Sequence, residues 1–190
     1  MSAYPVRYSV AYSLSFTRIQ VFARIVGLLA LGAVGLSFGT VFAFLYLALP
    51  AFAASRLVNG EPYRERDAPR VVYLLHWVAA VYGWGALVTD RLPVRSPEET
   101  VQLTVTQLAP PPAGEAILRV IKGLPSMLVL GLLSLVGSLV WLWAVLSVLI
   151  WEQVSRWAFE YLVGLQRWSV RLLAYQAGLV REYPPFSMAE

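Results

Sequence analysis

Polar and apolar positions alternate from Val6 to Tyr12, and the chain then turns to long apolar runs. The alternation predicts a half-buried strand at 6–12. The run Ile25–Ala54, uncharged until Arg56, predicts a membrane-length helix. A second run, Val71–Val88, predicts another span, with His76 its one strongly polar side chain. The second half opens in the same way, with a strand predicted at 101–107 and a helix at 124–150. A span needs ~20 apolar residues. The first and third runs exceed that length and the second approaches it.

Residues 151–180 obey a different rule. At helical spacing, Glu152, Gln153, Arg156, Glu160, Arg167, Arg171 and Arg181 gather on one arc. Trp157, Tyr161, Leu165, Trp168, Leu172 and Leu179 take the other side. This is an amphipathic helix, suited either to the bilayer interface or to a crossing with its stripe turned into a bundle or partner. The bundle or partner is the favoured setting. Residues 183–190 read as an extended tail around Tyr183-Pro184-Pro185-Phe186.

The chain also reads as two copies of one unit. Val6-Arg7-Tyr8-Ser9-Val10 and Val101-Gln102-Leu103-Thr104-Val105 share a period of two, and Arg24-Ile25-Val26 and Arg119-Val120-Ile121 each open a hydrophobic helix at the same spacing. The endings Asp90-Arg91-Leu92-Pro93 and Arg181-Glu182-Tyr183-Pro184 correspond as well. A tandem duplication is expected, residues 1–95 (strand 6–12, helices 25–54 and 71–88) and 96–190 (strand 101–107, helix 124–150, amphipathic helix 151–180, tail 183–190). Paired strands would share one side of the membrane, and the Lys and Arg distribution places that side in the cytoplasm. The expected fold is therefore an all-α integral membrane protein of three to four hydrophobic helices with a small cytoplasmic-side β-strand pair.

Composition strengthens the membrane reading. Apolar residues make up 58% and charged residues 14% of the chain, against about 45–50% and about 25% in soluble domains. There is no cysteine, so disulfides, thiolate metal sites and cysteine nucleophiles are excluded. The net charge of +4 comes almost wholly from arginine, with Lys122 the sole lysine. A basic surplus of this kind meets anionic headgroups rather than nucleic acid.

Four features carry candidate chemistry. Gly35-Leu36-Ser37-Phe38-Gly39 has the spacing of a nucleophile elbow, which has meaning only on a strand–turn–helix corner. An intramembrane serine protease pairing Ser37 with His76 would also need an oxyanion hole that nothing here supplies. Helix packing is the better reading of Gly35 and Gly39, with Gly131 and Gly137 offering a similar small face. His76 could ligate a haem or chlorophyll-type pigment, although a neutral, hydrogen-bonded histidine is the commoner outcome for a lone one. Arg156 and Glu160 are placed to pair one turn apart. Arg167 and Arg171 have no carboxylate at that spacing, and two like charges so placed call for an anion, such as a lipid phosphate, or a partner's carboxylate. Arg56 to Arg70 mixes signs around Asn59-Gly60 and Glu61 and reads as a self-paired surface turn.

The second half contains Arg167-Trp168-Ser169-Val170-Arg171, Ala174-Tyr175 and Tyr183-Pro184-Pro185-Phe186-Ser187-Met188. These stretches resemble a bacterial membrane family known as domain of unknown function 4389. Tyr4-Pro5-Val6-Arg7-Tyr8 resembles the opening of the same domain. The first half departs at its end, where Leu92-Pro93-Val94 stands in place of Tyr-Pro-Pro-Phe, and the second departs at Pro110-Pro111-Pro112. The resemblance implies a fold and supplies no reaction.

The sequence thus points to a non-catalytic accessory or scaffold subunit of a larger membrane assembly, in a bacterial inner membrane and crossing it several times. The expected partners are lipids and other membrane subunits. Two alternatives stand beside this reading. One is a lipid- or small-molecule-handling protein with an anionic-group site at Arg167 and Arg171; the other is a pigment- or haem-binding subunit using His76.

Overall fold

The structure is a computed structural model that describes residues 4–13, 15–59, 62–106 and 108–189, without the side chain of Ala113. Gly60, Glu61, Gln107 and Glu190, which belong to the expected turn, strand and tail, lie outside the described residues. Five α-helices and a two-stranded antiparallel sheet make up the described fold. The strands are shorter than expected, β1 being Val6–Ser9 and β2 Gln102–Val105. Val6 pairs with Val105 and Ser9 with Gln102.

The apolar run 25–54 does not form one helix. It divides into α1 (Arg18–Ala33) and α2 (Phe38–Val58). Gly35 sits between them with φ of +77°, a left-handed conformation open to glycine at little cost. Ser37 then starts α2 by accepting a hydrogen bond from the Thr40 N–H. Hydropathy does not register this break, because every residue in it is compatible with lipid. Pro50 and Pro125 lie inside α2 and α4, within the helical runs expected there.

The run 71–88 falls in α3 (Ala68–Gly85), entered through a π turn at Tyr63–Asp67. The predicted helix 124–150 begins earlier, as α4 (Ala113–Trp151). At ~1.5 Å per residue α4 is ~58 Å long. The amphipathic helix shortens to α5 (Arg156–Gln176), because Glu152 adopts a left-handed φ of 58° and ends α4.

The helix α5 runs antiparallel to α4. Tyr161 donates to the Leu133 carbonyl near one end of the pair and Arg119 to the Tyr175 carbonyl near the other. The opposite side of α5 carries Val163, Arg167 and Arg171 and receives β1. The part of the polar stripe that carries Arg167 and Arg171 is therefore interior, while Arg156 and Glu160 stay exposed. All but its first turns are buried, although its composition is only weakly apolar.

The apolar surface lies elsewhere. On α4, Leu128, Leu132, Leu135, Leu139 and Leu146 are exposed, and on α1 Ile19, Phe22, Val26 and Leu29. Two helices, α2 and α4, are long and apolar enough to cross a membrane, with mean hydropathies of 1.8 and 2.3. Only 33% of each apolar window is buried, whereas the core helix of a water-soluble domain would bury most of it. This supports a membrane setting.

The helices α3 and α5 end in the same way. After α3, Leu87 has φ of 61° and the Val88 N–H reaches back to the Gly83 carbonyl. After α5, Gly178 has φ of 71° and the Leu179 N–H reaches back to the Ala174 carbonyl. Both are left-handed caps that satisfy orphan carbonyls. Gly178 is the tighter, since an added Cβ would stand 3.1 Å from Pro111. Gly178→Ala is therefore expected to destabilise the fold by about 1–3 kcal/mol, through left-handed strain and crowding. Gly131→Ala, which meets nothing within 4 Å, should leave stability unchanged or slightly raised. Thermal unfolding of the detergent-solubilised variants measures both.

Candidate functional site

The polar groups singled out by the sequence do not meet at one place. Arg156 and Glu160 pair at 3.0 Å near the start of α5, with both side chains mostly in solvent. Arg167 and Arg171 lie further along the helix and are buried. Arg167 donates from Nε to the Tyr8 carbonyl at 3.0 Å and from Nη1 to the Met188 carbonyl at 2.7 Å. Arg171 donates from Nε to the Val6 carbonyl at 3.4 Å and from Nη1 to the Ala189 carbonyl at 2.9 Å.

The strand register explains this pattern. The Thr106 N–H donates to the Pro5 carbonyl, which makes residues 5 and 106 a hydrogen-bonded pair. By antiparallel alternation Arg7–Thr104 and Ser9–Gln102 are such pairs too. The carbonyls of Val6 and Tyr8 then point away from β2, along the outer edge of the ribbon. Four residues of helix advance ~6 Å and two residues of strand ~6.7 Å. Arginines one turn apart thus match alternate carbonyls of a strand edge, and each fork reaches the tail with its second arm. Partial negative charge on carbonyl oxygens surrounds the two like charges.

Tyr8 completes this layer. Its hydroxyl donates to Gln166 Oε1 at 2.5 Å, and Gln166 Nε2 donates to the Tyr82 carbonyl at 3.1 Å. Burial pushes the Tyr8 phenol well above its ordinary range, with the nearby Arg167 acting in the opposite sense, so the ring stays neutral and remains a donor.

His76 is buried in α3. Its Nε2 lies 2.8 Å from the Val101 carbonyl, and its Nδ1 lies 3.6 Å from Glu98 Oε1. A ligand to iron or magnesium would have to displace one of these contacts. Glu98 itself is held below its ordinary range, first by its own backbone N–H and then by the Ser96 hydroxyl. Ser37 serves as the cap of α2 and shares a hydrogen bond with Thr40, not with His76. Among the described residues no group of three or more His, Asp or Glu side chains is placed to hold a metal ion.

Of the four glycines expected to pack helices, Gly137 faces another helix, where an added Cβ would stand 2.9 Å from Leu165. Gly39 and Gly131 have nothing within 4 Å, and Gly35 lies in the turn between α1 and α2.

Two further arginines are the largest fully buried side chains among the described residues. Arg24 is 1% exposed and donates to the Thr89 carbonyl at 3.0 Å and to Asp90 Oδ1 at 2.9 Å. Its guanidinium lies 5.3 Å from the Trp84 ring. Arg119 is fully buried and donates to the Tyr175 and Val180 carbonyls at 2.5 and 2.7 Å, with its guanidinium 4.3 Å over the Tyr175 ring. Arg24 thus sits just beyond the end of α3 and Arg119 at the end of α5, where carbonyl dipoles favour a cation. The sequence signal was present in the matched Arg24-Ile25-Val26 and Arg119-Val120-Ile121. Spacing alone gave no reason to read those arginines as buried.

Residues 114–188 match the family described as Domain of unknown function (DUF4389). The matched stretch covers nearly all of α4, all of α5 and the tail to Met188, and is less than half of the chain. It includes the motifs around Arg167, Arg171 and Tyr183-Pro184-Pro185-Phe186; the Tyr4–Tyr8 segment lies outside it. The chain matches no curated protein and no solved structure.

Replacing Arg167 or Arg171 by Met removes forks that reach two carbonyls each and leaves buried oxygens without a donor. A loss of about 2–4 kcal/mol is expected for each. Lys should rescue poorly, since a single ammonium lacks the fork geometry. Arg156→Ala, at an exposed pair, should leave the denaturant midpoint where it was.

Proposed function

We propose that the chain is a non-catalytic accessory or scaffold subunit of a larger membrane assembly, embedded in a bacterial inner membrane. One observation carries the reading. The polar side chains that could have served chemistry are spent on holding the fold, while the surface offered outward by α1 and α4 is apolar. Arg167 and Arg171 serve the first strand and the tail, Arg24 and Arg119 serve helix ends, and His76 holds the segment leading into β2. What remains to interact is a belt suited to lipid chains and to helices of neighbouring proteins.

The same proposal includes a duplicated unit of strand, long helix and second helix. Its support is the equivalence of Arg24 with Arg119, of the two left-handed caps, and of α1 plus α2 with α4. The strand register adds to it, since the ends of β1 and β2 exchange places across the pair. In this arrangement β1 packs on the second half's α5 and β2 contacts the first half's α3.

Gentle isolation from native membranes tests the subunit reading. A stoichiometric membrane-protein partner should co-isolate and should be lost on Gly131→Leu, which alters the outward face of α4 without touching the interior. Recovery of the chain by itself, from mild detergent and at native expression, would sink the idea. The duplication has its own check in co-expression of residues 1–95 with 96–190. The halves should reassemble into one particle with the unfolding behaviour of the intact chain, whereas independent halves argue against the exchanged packing.

A further inference from the structure

Where α1 breaks into α2, its last turns leave the body and the straight helix α4 does not follow. Residues 29 and 30 and 32 to 37 are exposed, yet Leu28 and Phe38 on either side rest against the core. The gap left beneath the break is a cavity of about 280 Å³, walled by Leu28, Phe38, Ser138, Trp141, Leu162 and Leu165. It persists because, beside Trp141, α4 presents only the small residues Ser134, Gly137 and Ser138 to it.

Every polar group on its wall already has a partner. The Ser134 and Ser138 hydroxyls return to carbonyls of their own helix. Tyr82 donates to the Leu36 carbonyl at 2.8 Å, and Trp141 Nε1 to the Gly85 carbonyl at 2.9 Å. Gln166 is engaged at both ends, by Tyr8 and by the Tyr82 carbonyl. The wall's hydroxyl and indole protons are thus all spent within the protein, and the surface around them is apolar, which favours an apolar occupant. An apolar cavity of about 150 Å³ already stays dry and takes up benzene, and this one is larger.

Its mouth sits on the apolar belt. Ser138 lines the cavity and is itself exposed, and its neighbours Leu135, Leu139 and Leu142 are exposed leucines. In a membrane the material at that mouth is hydrocarbon. We propose that the cavity takes one acyl chain of a bilayer phospholipid, held by shape and dispersion alone, with the headgroup left outside. This rests on the membrane setting proposed above.

The full chain, reconstituted in phosphatidylcholine vesicles containing a phospholipid with a diazirine-bearing acyl chain, is irradiated and the crosslinks are mapped by mass spectrometry. Labelling is expected at the cavity-lining Leu28, Gly137, Trp141 and Leu165, together with general labelling at Leu128, Leu132, Leu135 and Leu139 on the outer face. Ser138→Phe and, separately, Ser134→Phe fill the cavity and should abolish the first set while leaving the second. Gly131→Phe, pointing outward, should leave both. Outer-face labelling without cavity labelling, or cavity labelling undiminished in both filled variants, overturns the proposal. Cavity crosslinks to a second copy of the chain in place of lipid overturn it as well. Absence of labelling at every position overturns the membrane setting along with it, which separates the two failures.

Discussion

The fold turns on the meeting of two arginine forks with the edge of a strand. A two-stranded ribbon has an outer edge of carbonyls with no third strand to satisfy them, and burying that edge is costly unless donors are brought to it. Arg167 and Arg171 bring them at a helical spacing that matches the strand's own repeat. Because each fork also holds a carbonyl of the tail, at Met188 or Ala189, one helix ties together the first strand and the tail. This explains how a helix with a basic stripe lies in the interior. The cations are solvated by peptide oxygen in place of water, so most of α5 is buried although few of its residues are strongly apolar.

The same device recurs at Arg24 and Arg119, with helix ends in the role of the strand edge. A single chemistry, guanidinium donating to backbone carbonyl, therefore fixes the ribbon on α5 and the long helices on the shorter ones. The halves differ in one respect. Arg24 has the Asp90 carboxylate beside it, whereas Arg119 relies on two carbonyls and the face of Tyr175. The burial of Arg119 is sustained by the convergence of the α5 end, and the Gly178 turn that aims those carbonyls is part of the same construction.

Much of this was legible in the sequence, but unevenly. Alternation at 6–12 and 101–107 located the strands, and apolar length located α2, α4 and the helical character of 71–88. The break between α1 and α2 escaped, because it depends on the backbone of one glycine and a serine cap amid residues that hydropathy scores as continuous. At Arg167 and Arg171 the sequence showed two like charges in need of oxygen. It did not show that backbone carbonyls lay within reach, because a carbonyl has no letter in a sequence, and side-chain anions were the only acceptors it could suggest. The cavity was invisible for a related reason. Small residues on α4 read as a packing face, and only the detour of α1 leaves part of that face uncovered.

The length of α4 has a mechanical consequence. Its apolar stretch from Leu124 to Trp151 would measure ~42 Å along the axis, against a hydrocarbon core of ~30 Å. A helix this long, fastened to α5 along much of its length, has no freedom to bend to the thickness of its host. The mismatch falls on the tilt of the whole body or on the surrounding lipid, which must thicken next to it. In such a setting bilayer thickness would become a variable to which the molecule responds as one piece, and a thin membrane would strain lipid and protein alike around the end of α4, where Trp143 and Trp151 meet Trp157 of α5.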